Sequence, residues 1–274
     1  RPVNNSAFNS SFEDWEELSA KLKDGTLGDD LVDVTLDNVL TFVHPMVKIY
    51  NVALNSHDHA VNCGMRKPDA EGVTGEPSIF ATNNLVTTFG DDVIAMRDPS
   101  EHDPEVELVG VFDRTGRNVR PEDAFDYIKV FGVGFDGADR GAQLVDVFKK
   151  LYGIGRIVGD DGKTRLPQFL IGKSGDGYAH TGAVFGFVEN PYDLGLEMDI
   201  RGEEQQRLDR IGRDMLWKIP AVVAHITNGR TARAGELVFF GSTGGVEVEK
   251  PLGKGEEADY VLPGQDALAR VPGL

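Results

Sequence analysis

A chain of 274 residues with 40% hydrophobic content has enough apolar material for one large domain, or one domain with a small appendage. Its formal net charge of −17 argues against nucleic acid and anionic membrane surfaces as partners, and an anionic substrate would need a locally basic pocket. No apolar run approaches the ~18 residues of a membrane span, and the single cysteine, Cys63, rules out an internal disulfide and fits a reducing, cytoplasmic setting.

The chain opens on Arg1 without a leader pattern, so N-terminal trimming is expected. Residues 1–12 are polar and loose, and their sequons at Asn4 and Asn9 are weak signals in an Asn/Ser-rich stretch. SFEDWEELSAKLKDG reads as an amphipathic helix with Phe12, Trp15, Leu18 and Leu22 on one face and a stop at Gly25. DDLVDVTLDNVLTFVHP alternates like strands up to Pro45, so residues 1–46 form a small N-terminal α/β unit ahead of a main domain, 47–274. From Val47 onward the pattern is mainly β, giving an α+β class: the candidate strands are VKIYNVAL, EVELVGVF, YIKVFGVGF, GAVFGFV, LGLEMDIRG and ELVFFG. Helices are fewer: PEDAFDYI, with Pro121 at its start, ADRGAQLVDVFKKLYG, and RIGRDMLWKIPAVVAHITN.

Two of the strands carry acid. Glu105 and Glu107 stand at i and i+2 in DPEVELVGVF, so both point to one side, roughly 6–7 Å apart. Carboxylates that close repel unless a cation or an arginine lies between them. The next strand brings Asp136, and three carboxylates from strand ends make a hard-cation site of the Mg, Mn or Ca type. The competing reading is a solvated edge-strand pair with Asp136 in a turn. A second motif overlaps: GVGFDG, at Gly132, Gly134 and Gly137, fits the glycine pattern of a nicotinamide-dependent oxidoreductase, with Asp160 and Asp161 as ribose-binding acids. Against it, Asp136 sits where a pyrophosphate would approach, and the chain lacks a repeated βαβ pattern.

Five blocks in order, VALNSHDHAVNCG, EVELVGVF, FGVGFDGADRGAQ, GKSGDGYAHTG and GSTGGV, resemble the fumarylacetoacetate hydrolase superfamily over roughly residues 47–265. The resemblance implies a mixed β-sandwich roll, usually a homodimer, with a divalent metal at its mouth. Mg is the first expectation, with Mn or Ca as alternatives. It further implies a metal-dependent hydrolase or lyase acting on a small anionic 2-oxo acid, with no nucleic-acid or membrane partner. By position, Glu105, Glu107 and Asp136 match metal ligands, and His59 matches the histidine that activates water. Lys173 matches a catalytic cation, while Arg140, Gln143, Ser242 and Thr243 match substrate contacts. A 2-oxo acid offers its carboxylate and keto oxygen to such a cation, which would stabilise the enolate formed on C–C cleavage or water elimination.

The chain departs from the family pattern at several positions. Hydrolytic members pair the histidine with a glutamate three residues later, and here that position is Asn62, which cannot orient an imidazole as a base. Thr82 stands where a pocket lysine is expected, Ser242 and Thr243 replace threonine and proline, and about fifteen extra residues, 153–167, precede Lys173. Two reactions are expected on level terms: C–C hydrolysis of an acylpyruvate or diketo acid, and dehydration of a 2-keto-3-deoxy sugar acid. A non-catalytic binding module on the same fold is the alternative suggested by Asn62 and Thr82.

Overall fold

The computed structural model describes residues 47–67, 71–73, 75–82, 87–88, 101–144 and 169–274. The expected N-terminal unit and the 153–167 insertion lie outside the described residues. In chain order the strands and helices are β1 (Ile49–Ala53), α1 (His57–Asn62), β2 (Ser78–Thr82), β3 (Thr87–Thr88), β4 (His102–Phe112) and β5 (Gly116–Arg117). They continue with β6 (Ile128–Asp139), α2 (Arg140–Leu144), α3 (Phe169–Lys173), β7 (Ala179–Phe187), β8 (Leu196–Ile200) and β9 (Glu203–Leu208). The last are α4 (Ile211–Asp214), α5 (Ile219–Thr227), β10 (Thr231–Ala232), β11 (Leu237–Phe239) and β12 (Ala267–Arg270).

A seven-stranded mixed sheet runs in the order β2-β1-β11-β4-β6-β7-β3, and a three-stranded sheet runs β12-β8-β9. The long antiparallel pair β4–β6 lies at the centre of the larger sheet, and every residue of β4 is buried. Alternation along β4 explains what each face does. Val106 and Leu108 join the larger core with Met198 and Ile200 of β8 and Val222 and Ile226 of α5. The opposite row reads Glu105, Glu107, Val109, Val111, and its valines pack with Ile49, Val130, Leu237 and Phe239. One face of one strand thus changes from apolar to acidic along its length.

The glycines of GVGFDG serve the sheet. They lie inside β6 rather than at a strand-to-helix turn, and α2 begins only at Arg140. A Cβ on Gly134 would come within 2.6 Å of Val109 and 2.9 Å of the His180 carbonyl oxygen, so only glycine lets β6 seat there. The nicotinamide alternative therefore loses the loop it needed, with Asp136 on the same strand.

The remaining sequence expectations fare unevenly. All six candidate strands form, with β4 and β6 extended beyond their predicted ends. PEDAFDYI is a 3-10 turn at Pro121–Asp126. RIGRDMLWKIPAVVAHITN splits into α4 and α5, because Pro220 fits the first turn of a helix and cannot sit in a helix interior. Of ADRGAQLVDVFKKLYG, the described part is helical over Arg140–Leu144. The polar strand β9 and the four-residue strand β12, neither with a β-branched run, were not anticipated. Among the described residues no helix is long and apolar enough to cross a membrane.

Candidate metal centre and active site

The β4–β6 register sets Glu105 directly opposite Asp136 and Glu107 opposite Gly134. One carboxylate oxygen from each of Glu105, Glu107 and Asp136 lies within 4.8 Å of the others, and all three residues are buried. Two cations enter the cluster. Lys173, at the end of α3, places Nζ 2.9 Å from Glu105 Oε2 and 2.7 Å from Asp136 Oδ2. Arg140, at the start of α2, donates from Nη2 to Glu105 Oε1, from Nε to Asp103 Oδ2 at 2.8 Å and from Nη1 to Gln143 Oε1 at 2.7 Å.

The electrostatics are divided. Burial would raise the Glu105 carboxyl, but Lys173 and Arg140 outweigh it and pull it down to about 2. Burial raises Asp136 to about 6, against the pull of Lys173 and with the push of Glu105. Glu107 is held well above the ordinary carboxylate range by burial, Asp136 and Glu105, and its stabilising contact is the Gly241 N–H, 2.7 Å from Oε2. Three buried oxygen donors, two of them reluctant to ionise beside one another, fit a divalent cation, whose charge would remove the repulsion. Glu105, Glu107 and Asp136 are the residues that would hold it.

The donor to Glu107 is itself anchored. Gly241 has φ +99, and a Cβ there would meet Asn55 Cβ at 2.6 Å. Asn55 ties this bend in place: Nδ2 donates to Phe240 O at 2.7 Å and Trp217 O at 3.1 Å, and Oδ1 accepts from Trp217 N at 2.6 Å. The next residue, Ser56, caps α1 by accepting from His59 N at 3.1 Å. Ser242 and Thr243 follow Gly241 and line a small cavity with Asn55, Ser56 and Asp214. Thr82 does not leave a polar gap where a lysine was expected, since its hydroxyl accepts from Asn51 Nδ2 at 3.3 Å.

His59 is buried on α1, and its Nδ1 lies 2.6 Å from Glu249 Oε1. This corrects the expectation that Asn62 leaves the imidazole without a carboxylate. The acid arrives from the other end of the chain, and Asn62 Nδ2 donates to its second oxygen at 2.9 Å. Burial alone would lower the imidazole, but Cys63 and Glu249 together hold it up at about 10. Asp103 joins the two halves of the site: it accepts from Arg140 and also from the backbone N–H groups of Glu247 and Val248, each at 3.1 Å. Sequence reading missed both Asp103 and Glu249. Asp103 stands two residues before Glu105, on the same strand face, which was a usable signal. Glu249 is 190 positions from His59, beyond any local pattern.

Residues 48–274 match the family model described as fumarylacetoacetate (FAA) hydrolase C-terminal. The chain belongs to the fumarylacetoacetate hydrolase family. Among similar members is oxaloacetate tautomerase YisK of Bacillus subtilis, 27% identical over 207 residues, covering 74% of this chain and 60% of that protein. Another is the 4-hydroxyphenylacetate degradation bifunctional isomerase/decarboxylase of Escherichia coli, 25% identical over 240 residues, 85% of this chain and 46% of that one. The matched region thus spans less than two thirds of either relative. The fold is shared with fumarylpyruvate hydrolase from Pseudomonas aeruginosa in complex with Mn2+ and pyruvate, with TM-score 0.60, 21% identity, and 83% and 85% of the two chains covered.

Proposed function

We propose that this family member is a divalent-metal-dependent enzyme acting on a small 2-oxo acid, with C–C hydrolysis of an acylpyruvate as its first reaction. The buried triad of Glu105, Glu107 and Asp136 beside Lys173 and Arg140 carries the reading. When bound, the cation, Mg or Mn, would supply positive charge for the carboxylate and keto oxygens of the substrate and for the charge that develops during reaction. Lys173 and Arg140 would add fixed positive charge beside an anionic substrate in a strongly acidic chain. Gln143, Ser242 and Thr243 would supply neutral hydrogen-bonding groups for its polar atoms.

His59 favours hydrolysis over dehydration now that Glu249 faces it. With Nδ1 donating to Glu249, Nε2 is the nitrogen that exchanges a proton with water; Cys63 and Glu249 hold the ring up at about 10, so the small deprotonated fraction is the form that would act as base. The hydroxyl adds to the carbonyl at C4, the C3–C4 bond breaks, and its electron pair stays on the 2-oxo acid fragment, which is then protonated at C3. The named activities of the relatives, tautomerisation of oxaloacetate and isomerisation with decarboxylation, need a proton moved at the same carbon region and form the next group to assay.

Calorimetric titration of oxalate, a mimic of an enolised 2-oxo acid, into chelator-stripped protein tests the reading. Binding with Mn and none without it is expected, and Glu107→Ala should abolish it. Oxalate affinity retained in that variant would remove the site assignment. A screen of acylpyruvates, oxaloacetate and 2-keto-3-deoxy sugar acids then separates the reactions.

A further inference from the structure

The small cavity at the Gly241 bend measures about 10 Å³, room for one water-sized oxygen. Of its polar lining, Asn55 is tied to Trp217 and Phe240, and Ser56 Oγ accepts from His59 N at 3.1 Å. Asp214, at the end of α4, is only half satisfied. It is 7% exposed, its Oδ1 accepts from Asp58 N at 3.0 Å, and its buried Oδ2 has no hydrogen-bond partner among the described residues. The ammonium of Lys218 is committed to carbonyls instead, 2.7 Å from Gly212 O and 2.9 Å from Met215 O. A buried carboxylate oxygen without a donor is costly, so the cavity calls for a group that donates to it. Ser242 and Thr243 add two buried hydroxyls, each able to donate or accept.

The cavity adjoins the acidic triad. β11 ends at Phe239, whose partner on β4 is Val109, so at the level of Glu107 a loop rather than a strand borders β4. Gly241 belongs to that loop: its N–H holds Glu107 Oε2 at 2.7 Å, and the same residue lines the cavity. Resting on the proposed 2-oxo-acid reading, we infer that this cavity is a subsite for a hydroxyl group on the distal carbons of the substrate. A hydroxyl donates to Asp214 Oδ2, accepts from Ser242 or Thr243, and brings the single oxygen that the volume takes. An alkyl end leaves Oδ2 without a donor, and a carboxylate meets a like charge there. The substrate class is a hydroxylated 2-oxo acid, with the hydroxyl on the acyl group of an acylpyruvate or on the chain of a 2-keto-3-deoxy sugar acid.

The test is displacement of oxalate from the full-length, Mn-loaded chain, followed by calorimetry. The probes are 2-oxopentanoate, its 4-hydroxy and 5-hydroxy derivatives, and the dicarboxylate 2-oxopentanedioate. One of the hydroxy acids should bind about tenfold or more tighter than 2-oxopentanoate, the scale of a hydrogen bond to a buried charge, and the dicarboxylate no tighter than 2-oxopentanoate. Asp214→Asn keeps the side-chain shape and an acceptor for Asp58 N but puts a donor in place of Oδ2. It should cut the hydroxyl advantage to about threefold or less and improve the dicarboxylate about tenfold, while oxalate stays within about threefold. Should that variant fail to fold, Thr243→Val, which removes a hydroxyl at constant shape, should reduce the same advantage at least about threefold. Hydroxy acids that bind no better than 2-oxopentanoate, while oxalate binds, mean that the cavity holds water only; that overturns the subsite and leaves the 2-oxo-acid reading standing. A hydroxyl advantage unchanged in both variants overturns it as well. Oxalate that fails to bind in the presence of Mn removes the proposed function, and the subsite with it.

Discussion

Lys173→Met separates what the lysine does for the fold from what it does for a metal. Its ammonium lies 2.9 Å from Glu105 and 2.7 Å from Asp136 in a buried cluster. Removing one partner from such a cluster leaves uncompensated charge, at a typical cost of about 3–5 kcal/mol. The cost is limited here because Asp136, already raised to about 6, takes a proton when its cation is removed. About 2–4 kcal/mol is expected in chelator at pH 8 by urea unfolding. A divalent cation restores the lost charge, so the cost with saturating Mn should fall to about 1 kcal/mol or less. Linkage requires the difference, about 1 kcal/mol or more, to reappear as affinity, and each 1.4 kcal/mol is tenfold, so Mn should bind the variant at least about fivefold more tightly. Oxalate binding to the Mn-loaded variant should weaken, since the substrate loses the same charge. An unfolding cost that is equal with and without Mn, together with unchanged Mn affinity, would refute the placement of the cation beside Lys173.

Metal binding should release protons, because Glu107 and Asp136 hold theirs above the ordinary range through burial and mutual repulsion. Mn affinity should therefore rise with pH and fall steeply as pH drops through about 6, with net proton release on binding, measured by calorimetry in buffers of different ionisation enthalpy. His102 makes the opposite kind of statement about stability. Burial, with Arg140 and Lys173 nearby, lowers it from 6.5 to about 4, so the unfolded chain binds the proton more readily. Its contribution is complete above about 6.5 and lost as pH falls toward 4, reaching ~3 kcal/mol, and His102→Gln should remove that part of the pH slope in urea titrations. Asn55→Ala removes three hydrogen bonds around the Gly241 bend and should destabilise by roughly 2–4 kcal/mol in urea unfolding, with weaker Mn binding because Gly241 N holds Glu107.

What the sequence made legible was whatever depends on a short period. Glu105 and Glu107 share a side because strand side chains alternate, and the central strands were visible as apolar runs. Which acid Asp136 faces was not legible, because register is settled by the packing of Gly134 and Val109 and not by any spacing along one strand. The break between α4 and α5 was present in Pro220 but obscured by a continuous apolar pattern around it. His59 and Glu249 come together only because β1 and β11 pair in parallel, bringing the start of α1 and the chain after Phe239 to one end of the sheet. Such long-range pairing is a property of topology and leaves no mark in a window of a dozen residues.

The arrangement also weighs on the choice between an enzyme and a binding module. A buried acidic triad costs stability: placing well-packed apolar residues there would be neutral or favourable, so the fold alone gives no reason for it. A cation accounts for the triad in either case. It does not account for His59, which is buried, held by Glu249 on one nitrogen and tied through Asp103 to the arginine that faces Glu105. A module that only binds a metal and an anion gains nothing from orienting an imidazole, whereas proton transfer requires it. Asn62 and Thr82, the substitutions that suggested lost activity, are both satisfied, one by Glu249 and the other by Asn51. One faces a carboxylate that arrives from another element and the other is a hydroxyl paired with an amide, so neither position marks a defect, and the proposed catalysis is the reading that uses these groups.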